Sequence, residues 1–411
     1  MRLAKFLATF GLLSLNAIPC RSNAVPSKLD GSAPGKPTNG ALDITQGHAD
    51  GESLVIKGAD GQPRPLTVDV ALQRLALRKL AQAHPEAGAM VAIEVRTGQL
   101  KVFSEWPPPA SRDASLLLGR QFPAASVFKV VTTAALLEQS NIDPKRIVCT
   151  EGGMHAIERE QLEIPRTGVA ECGPFSEALG LSRNAAFAQL ASRFLKPEDL
   201  ENYADRFGFD SPVPVEINVP LGHFTTNAEP LAFARSATGF EGSTLSPLGA
   251  AYLAYVIAAG GKTLPLHLLV GDDFATEEGT KAFPAIRAET AQALRQMMEV
   301  TVRRGTSWRA FHDEHGKPYL NRISVAGKTG TLGEKENTYS WFIGFAPSQA
   351  PRIVISVLLK NGRIWQRKAN EVGRDWLVEY FSRESSTPKK VPALSNRVAP
   401  PTSQGFARVR H

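Results

Sequence analysis

Strand patterns occur near both ends of this sequence and are separated by a long helical region. The run AMVAIEVRTGQLKVFSE (residues 89–105) reads as two strands joined by a tight turn, and RISVAGKTGT, SWFIGFAP and RIVISVLLKNG lie between residues 322 and 362. Residues from about 124 to 310 are largely helical in pattern. We therefore predict that the early hairpin pairs with the late strands in one mixed sheet, around an inserted helical region.

The flanking segments set the boundaries of the folded domain. Apolar residues at helical spacing predict one helix in VDVALQRLALRKLAQAH and another in NEVGRDWLVEYFSRE. Residues 25–62 are rich in Gly, Pro, Ser, Asp and Asn, which is typical of a flexible leader. Residues 384–411 form a basic tail, rich in Pro and Ser, that we expect to be disordered. The domain is thus predicted over residues 63–383.

Residues 1–24 have the pattern of a cleaved secretory signal peptide. Arg2 and Lys5 precede an apolar run of 13 residues and then small residues. This run is shorter than the roughly 20 residues that span a bilayer. We expect a secreted protein, on the periplasmic or extracellular cell-wall side of the inner membrane. The alternatives are an uncleaved anchor and a lipoprotein linked through Cys20, which Pro19 disfavours.

Composition limits the class of protein and of partner. The chain has 411 residues, 43% hydrophobic and 21% charged, as in soluble globular proteins. A net charge of +7 suits an anionic polymer or surface, but it does not by itself indicate nucleic acid, and we predict no nucleic-acid partner. Cleavage of the signal peptide would leave Cys149 and Cys172, which could pair in an oxidising compartment or remain two separate thiols.

A lysine inside a strongly apolar helix is the first candidate for chemistry. FPAASVFKVVTTAALLEQ (residues 122–139) is apolar nearly all round, which predicts a buried helix, and Lys129 lies three residues after Ser126 on the same face. Burial lowers the pKa of a lysine, and a neutral amine beside a serine hydroxyl can act as a general base. The alternative is that Lys129 extends to the surface and Ser126 only caps the helix.

The sequence Gly327-Lys328-Thr329 has the ending of a phosphate-binding loop. Such a loop needs a first glycine five residues before Gly327, because backbone N–H groups must turn in around the phosphates, and Arg322 occupies that position. We therefore exclude a nucleotide site.

The best candidate for metal binding is the pair His312 and His315. They lie in a polar segment, HDEH, with no third ligand evident in the sequence. We predict a solvated surface there and no metal site.

The order of three short motifs distinguishes between these alternatives. Ser126-x-x-Lys129 is followed by Ser182-x-Asn184, at the junction of two apolar helical segments, and then by Lys328-Thr329-Gly330 on a predicted strand. Each motif alone proves little: Ser386-x-x-Lys389 is a second match in the tail, and Ser182 and Asn184 alone would predict a turn or helix cap. In this order they form the triple of penicillin-binding proteins and serine β-lactamases.

From about Leu66 to Ser382 the chain resembles the transpeptidase domain of penicillin-binding proteins. Beside the triple, VAIEVRTGQLKVFSE is similar to its first hairpin, and ATGFEGSTLSPLGAAYLAYVIAAGGK to the stretch between the second and third motifs. VTVRRGT and WFIGFAP complete the likeness around the third motif. The resemblance implies an α+β fold: a five-stranded, mainly antiparallel sheet flanked by helices, with an all-helical lobe. It also implies chemistry without a metal or organic cofactor.

The resemblance further implies a role for each motif residue. Ser126 would be the nucleophile acylated by the D-Ala-D-Ala end of a peptidoglycan stem peptide, or by β-lactams as inhibitors, with Lys129 as its base. Ser182 and Lys328 would pass a proton to the leaving amine. Asn184 would form a hydrogen bond with the substrate amide, and Thr329 and Thr331 would bind the terminal carboxylate of the substrate. Gly330 would leave space for substrate along the strand edge. The backbone N–H groups of Ser126 and Thr331 would form the oxyanion hole.

The sequence departs from the family pattern in two places. Ala124-Ala125 precede Ser126 where large penicillin-binding proteins carry Pro-Gly, which is closer to some serine β-lactamases. The Glu-x-x-Leu-Asn segment of class A β-lactamases is not matched by Glu201-Asn-Tyr or Glu216-Ile-Asn. We therefore predict a D,D-transpeptidase-like enzyme of cell-wall cross-linking. D,D-carboxypeptidase or β-lactamase activity is the alternative outcome, and a non-catalytic module that binds cell-wall peptide or β-lactam is the alternative class. Cell-envelope protein partners are not identified.

Overall fold

The structure is a computed structural model that describes residues 48–50, 53–58, 61–108, 115–117, 119, 122–165, 170–211, 215, 221–271, 283–334, 336–362 and 366–386. The predicted signal peptide, Glu216 and all but the first three residues of the predicted tail lie outside these residues.

The described residues contain the following strands and helices, numbered in chain order. The strands are β1 His48–Asp50, β2 Ser53–Lys57, β3 Pro63–Pro65, β4 Ala87–Glu94, β5 Leu100–Trp106, β6 Phe122–Pro123, β7 Ile147–Thr150, β8 Glu171–Pro174, β9 Gly222–Phe224, β10 Ser243–Leu245, β11 Lys262–Thr263, β12 Phe283–Pro284, β13 Ala326–Glu334, β14 Asn337–Ala346 and β15 Ile353–Asn361. The helices are α1 Val70–Gln82, α2 Lys129–Glu138, α3 Phe175–Leu181, α4 Asn184–Phe194, α5 Pro197–Arg206, α6 Pro230–Thr238, α7 Pro247–Ala258, α8 Ala288–Arg303, α9 Trp308–Phe311 and α10 Ala369–Ser386.

The central sheet has five strands in the order β13-β14-β15-β4-β5, and every neighbouring pair is antiparallel. The early hairpin β4-β5 joins the late strands through β15, where Ile353 lies opposite Glu94 and Lys360 opposite Ala87. This confirms the predicted pairing of the two ends of the sequence and the α+β fold, whereas the prediction of a mixed sheet is wrong, because every neighbouring pair in this sheet is antiparallel. The strand β13, which carries the third motif, lies at one edge of the sheet.

Helices cover both faces of this sheet. Met90 and Ile355 belong to a core shared with α1 and α10, whereas Val91 and Val354 belong to a core shared with α2, α7 and α8. Because successive side chains of a strand point to opposite faces, β4 is apolar at nearly every position rather than at alternate ones.

The helix α2 is the centre of the helical region, as its apolar sequence predicted. Every residue from Lys129 to Leu137 is buried. The Phe128 ring, just before α2, stacks on Phe224 at 4.4 Å between centroids and meets the edge of Phe209 at 5.5 Å. These contacts fix the start of α2, where the first motif lies.

Two boundaries differ from the prediction. Strands β1 and β2 lie within the predicted leader and form a small sheet with β3, and Val55 and Ile56 of β2 are buried. Regular structure therefore begins before residue 63, because the apolar run LVI (residues 54–56) is buried although the segment around it is rich in glycine. At the other end, α10 continues to Ser386, past the predicted start of the tail at residue 384.

Among the residues that the structure describes, no helix combines the length and the apolar composition that crossing a membrane requires.

Candidate active site

The first motif lies on a tight turn followed by a helix, not on the helix alone. Ala125, Ser126 and Val127 form a single 3-10 turn, and α2 starts at Lys129. Ala125 has a φ of 50°, in the left-handed region that costs a residue with a Cβ about 1–2 kcal/mol. Such strain is typical of functional sites. The turn brings Ser126 Oγ to 2.5 Å from Lys129 Nζ.

Lys129 is fully buried, so the alternative in which its side chain reaches the surface is wrong. Its Nζ lies 2.5 Å from Asn184 Oδ1 and 3.4 Å from Ser182 Oγ. Burial, and then the positive charge of Lys328, hold the pKa of Lys129 well below its ordinary value. Burial therefore favours the neutral amine, which is the form that can accept a proton from Ser126.

The second motif forms the junction between α3 and α4. Ser182 ends α3 in the left-handed conformation, with a φ of 56°, and Asn184 is the first residue of α4. The sequence alone suggested a turn, and the structure has one, but the same turn directs both polar side chains toward Lys129.

Asn184 is held by three hydrogen bonds. Its Nδ2 donates to the carbonyl oxygens of Gly153 and Met154 at 2.9 and 2.8 Å, while its Oδ1 faces Lys129 Nζ. Its exposed fraction is 8%. In this structure the amide therefore orients Lys129, and Oδ1 keeps a second lone pair that could accept a hydrogen bond from a substrate N–H.

The third motif lies along β13, on the other side of the site. Lys328 is fully buried, and its Nζ lies 3.0 Å from Ser182 Oγ and 2.7 Å from the carbonyl oxygen of Thr329. Burial lowers the pKa of Lys328 to about 7. Ser182 Oγ thus lies between two buried amines, on a path along which a proton could pass.

Gly330 is required where β13 passes the nucleophile turn. A Cβ at Gly330 would lie 3.2 Å from Val127 Cγ2 and 3.3 Å from the carbonyl oxygen of Ala124. The glycine therefore lets the strand approach Ser126 closely, a reason that the sequence did not suggest. Thr329 Oγ1 is 2.6 Å from Thr306 Oγ1.

The motif residues line one cleft of about 400 Å³, which we call the Ser126 cleft. It brings together Ser126, Ser182, Asn184, Thr329 and Thr331, with Lys129, Lys328 and Gly330 directly behind them. Its other lining residues were not predicted as site residues: Met154, Leu181, Phe240, Thr306, Ser340, Trp341, Lys368 and Asn370. Thr306, Phe240 and Trp341 fall within stretches that carry the family resemblance (VTVRRGT, ATGFEGSTLSPLGAAYLAYVIAAGGK and WFIGFAP), but nothing in those stretches marked these three as cleft residues.

The two cysteines are joined in a disulfide. Cys149 on β7 lies opposite Cys172 on β8. The loop that they close contains Gly153 and Met154, whose carbonyl groups hold Asn184. The disulfide is therefore connected to Lys129 through one loop and one side chain.

The other sequence candidates lie outside the Ser126 cleft. Gly327 and Lys328 lie near the start of strand β13, not in a loop that opens a helix, so a phosphate cradle is absent there. His312 Nδ1 lies 2.9 Å from the carbonyl oxygen of Trp308, and the His315 side chain is 83% exposed. In the described part of the chain, no three His, Cys, Asp or Glu side chains are grouped to hold a metal ion.

Residues 88–377 match the family model described as the penicillin binding protein transpeptidase domain, which covers most of the chain. The chain belongs to the penicillin-binding protein transpeptidase family. It is 28% identical over 316 residues to peptidoglycan D,D-transpeptidase PbpA of Mycobacterium tuberculosis, covering 68% of this chain and 62% of that protein. It is 26% identical over 332 residues to stage V sporulation protein D of Bacillus subtilis, covering 74% and 50%. The match thus spans less than two thirds of either relative.

Solved structures of transpeptidases have the same fold. Penicillin-binding protein A of M. tuberculosis, in its imipenem acyl-enzyme complex, aligns with a TM-score of 0.62 at 24% identity, over 77% of this chain and 79% of that one. The D,D-transpeptidase domain of a peptidoglycan glycosyltransferase from Eggerthella lenta aligns with a TM-score of 0.63 at 20% identity, over 82% and 96%. At these identities the likeness to solved structures establishes the fold alone.

Proposed function

We propose that this protein is a serine D,D-transpeptidase of cell-wall cross-linking. Ser126 would form an ester with the D-Ala-D-Ala end of a peptidoglycan stem peptide, and the amine of a second stem peptide would then take the acyl group. The observation that carries the proposal is the contact of 2.5 Å between Ser126 Oγ and Lys129 Nζ, in a site where the lysine is fully buried. Membership of the transpeptidase family supports the same chemistry.

In the acylation step, the low pKa of Lys129 makes its amine the base that takes the proton of Ser126 Oγ. Oγ attacks the carbonyl carbon of the penultimate D-Ala. The backbone N–H groups of Ser126 and Thr331 would stabilise the oxyanion, because the turn and β13 are in close contact at Gly330. Hydrogen-bond donors placed in this way lower the barrier by about 3 kcal/mol each.

The leaving D-Ala needs a proton on its nitrogen. Ser182 Oγ is positioned to relay it, since it lies 3.4 Å from Lys129 Nζ and 3.0 Å from Lys328 Nζ. Thr329 and Thr331, at the open edge of the sheet, would bind the terminal carboxylate, and a protonated Lys328 would add positive charge beside it.

The working location follows from the substrate. Peptidoglycan is assembled outside the cytoplasmic membrane, so we propose an extracytoplasmic enzyme delivered by the signal peptide predicted at residues 1–24. β-Lactams would act as inhibitors because they acylate the same serine. The acyl-enzyme complexes of the M. tuberculosis relative support this expectation for the family.

Covalent labelling with a fluorescent penicillin, followed over hours, tests the proposal. The wild-type protein should give a lasting band, and Ser126→Ala should give none. Ser386→Ala is the matched control, because it removes the serine of the other Ser-x-x-Lys sequence, far along the chain from the cleft, and should leave the band unchanged.

Two results would contradict the proposal. A wild-type band that fades within minutes, with the drug hydrolysed, would favour a serine β-lactamase. The absence of a band from folded wild-type protein would favour a non-catalytic binding module. Product analysis with a D-Ala-D-Ala peptide and an amine acceptor separates transpeptidase from D,D-carboxypeptidase, since only the former yields a new peptide bond.

A further inference from the structure

A second and larger cleft adjoins the Ser126 cleft. It has a volume of about 920 Å³ and lies between the segment that joins α8 to α9 and the segment that leads into α10; we call it the Arg309 cleft. The two clefts share Thr306, Lys368 and Asn370. A ligand held in one can therefore extend into the other.

The Arg309 cleft opens beside the place of the leaving group. Thr306 Oγ1 lies 2.6 Å from Thr329 Oγ1, and Thr329 is a residue to which the proposed mechanism assigns the terminal carboxylate. In acyl transfer the incoming amine must attack the same carbonyl carbon from which D-Ala departs. The Arg309 cleft thus adjoins the position that an acceptor must occupy.

The charges of the Arg309 cleft favour an anionic ligand. Its lining has three cationic side chains, Arg304, Arg309 and Lys368, and one carboxylate, Glu371. Arg304 is already paired with Glu177 at 2.5 Å. Arg309 has no ion pair or hydrogen bond with any described residue, so its five N–H donors are available for a carboxylate.

The junction between the clefts also contains an unsatisfied buried group. Asn370 has an exposed fraction of 4%, and its Nδ2 donates to Ser307 Oγ at 3.0 Å. Its Oδ1 has no hydrogen-bond partner among the described residues. Trp308, 39% exposed, adds an apolar wall to the Arg309 cleft. An acceptor peptide offers what these groups lack, namely an N–H donor, a carboxylate and an apolar stem.

We propose that the Arg309 cleft is the acceptor subsite, in which Arg309 binds a carboxylate remote from the attacking amine of the acceptor peptide. This inference rests on the proposed function and specifies its second step. The amine lone pair attacks the carbonyl carbon of the Ser126 ester, a C–N bond forms, and the C–O bond to Ser126 breaks with its electron pair going to Oγ. The proton lost by the amine reaches Oγ through Lys129, which restores the hydroxyl.

The subsite is tested by measuring how much of the acyl-enzyme reacts with water and how much with each of two matched amine acceptors. The donor is an acyl-D-alanyl thioester, and the acceptors are D-glutamate and D-glutamine, which differ only in the charge of the remote group. Wild-type protein should form more aminolysis product with D-glutamate. In Arg309→Gln this preference should fall about ten-fold, as expected for the loss of a charge-assisted hydrogen bond. Donor acylation and penicillin labelling should stay within about two-fold of wild type.

Two further variants serve as controls. Arg309→Lys should recover part of the preference, because it keeps the charge and loses the two-pronged geometry. Arg74→Gln removes one exposed arginine from α1, outside both clefts, and should leave the preference intact. Stoichiometric penicillin labelling of each variant shows that it is folded.

An unchanged preference in Arg309→Gln, or an equal loss with both acceptors, would overturn the acceptor subsite. A fall in donor acylation would overturn it as well, because it would place the donor in that cleft. Hydrolysis without any acyl transfer by labelled wild-type protein would overturn the subsite and leave Ser126 as the nucleophile. Failure of penicillin to label the wild type would overturn the proposed function itself.

Discussion

The two lysines of the site are equally buried but are held in different ways. Lys129, on the helical side, has its Nζ among side-chain oxygens, those of Ser126, Asn184 and Ser182. Lys328, on the sheet side, contacts a backbone carbonyl oxygen and Ser182 Oγ. Burial lowers both pKa values, and the charge of Lys328 lowers that of Lys129 further. The amine beside the nucleophile is thus the stronger candidate for the neutral base.

The contacts that position the two lysines also differ. On the helical side, Asn184 depends on two carbonyl groups in the disulfide-closed loop, and Gln189 Nε2 ties the same region to α4 through the carbonyl oxygens of Cys149 and Glu163. On the sheet side, β13 is held by continuous pairing with β14 from Ala326 to Glu334. The base is therefore positioned by long-range side-chain contacts, whereas Lys328 is positioned by backbone pairing.

Replacement of the two lysines, one at a time, should give the largest difference between the two sides of the site. Lys129→Met should lower the rate of penicillin acylation about 10³-fold, because a general base contributes about 10²–10⁴-fold. Lys328→Met should lower it less, by about ten- to hundred-fold, since it acts on the leaving group and the carboxylate. Stopped-flow acylation kinetics give both values. Equal losses would mean that the two amines share the role of base.

Removal of the disulfide tests the support on the helical side. The cysteines are separated by 23 positions, so Cys149→Ser with Cys172→Ser should lower the free energy of unfolding by about 3 kcal/mol. Acylation, measured where the variant is still folded, should also slow several-fold, because the partners of Asn184 lie in that loop. Urea denaturation and labelling rates measure the two effects. A loss of stability with unchanged acylation would show that the loop does not position Asn184.

Substitution of two glycines on β13 tests the sheet side. Gly330→Ala should lower the free energy of unfolding by about 1–2 kcal/mol and slow acylation about ten-fold, because its Cβ is crowded by the nucleophile turn. Gly333→Ala is the matched control: a Cβ there meets nothing within 4 Å, so the change should stay within about 0.5 kcal/mol. Similar effects of the two substitutions would contradict the close approach of β13 to Ser126.

The pH dependence of stability tests the burial of Lys328 directly. The pKa of Lys328 is about 7 in the folded protein against 10.5 for the free group, so the unfolded chain binds the extra proton between these values. Stability should therefore rise with pH across this window, and below about pH 7 the slope from Lys328 vanishes because both states bind the proton. Each such lysine contributes about 1.4 kcal/mol per pH unit.

Urea denaturation between about pH 7.5 and 9.5 measures this slope, below the range in which tyrosines titrate. Lys328→Met should reduce the slope of unfolding free energy against pH by the contribution of one proton, about 1.4 kcal/mol per pH unit. Lys317→Met, at an exposed position, should leave the slope unchanged. An unchanged slope in Lys328→Met would show that the native Lys328 stays protonated.

Much of the fold was predictable because its signals are local. The β-rich runs of β4, β5 and β15, the turn at Gly98 and the apolar α2 each follow from short-range pattern, and only the pairing of distant strands had to be inferred. The short pairs such as β7-β8 and β11-β12 were missed, since strands of two to four residues have no measurable period. The strands inside the predicted leader were missed because composition outweighed a brief apolar run.

The sequence by itself predicted which residues would carry the chemistry. Ser126, Lys129, Ser182, Asn184 and Lys328 were predicted from residue type, spacing and order together with the family resemblance, because each motif is confined to one turn or one strand. The left-handed φ of Ala125 and of Ser182, by contrast, is imposed by neighbours and has no residue signal.

Only the tertiary structure decided how these residues act on one another. The folding of distant segments buries Lys129 and Lys328, which shifts their pKa values, and places Ser182 between them. It also brings Thr306, Lys368 and Asn370, which are distant from one another or from the motifs in the sequence, to the junction of the two clefts. Burial and long-range contacts arise only when distant segments pack together. The spacing of residues within a short motif therefore does not predict them.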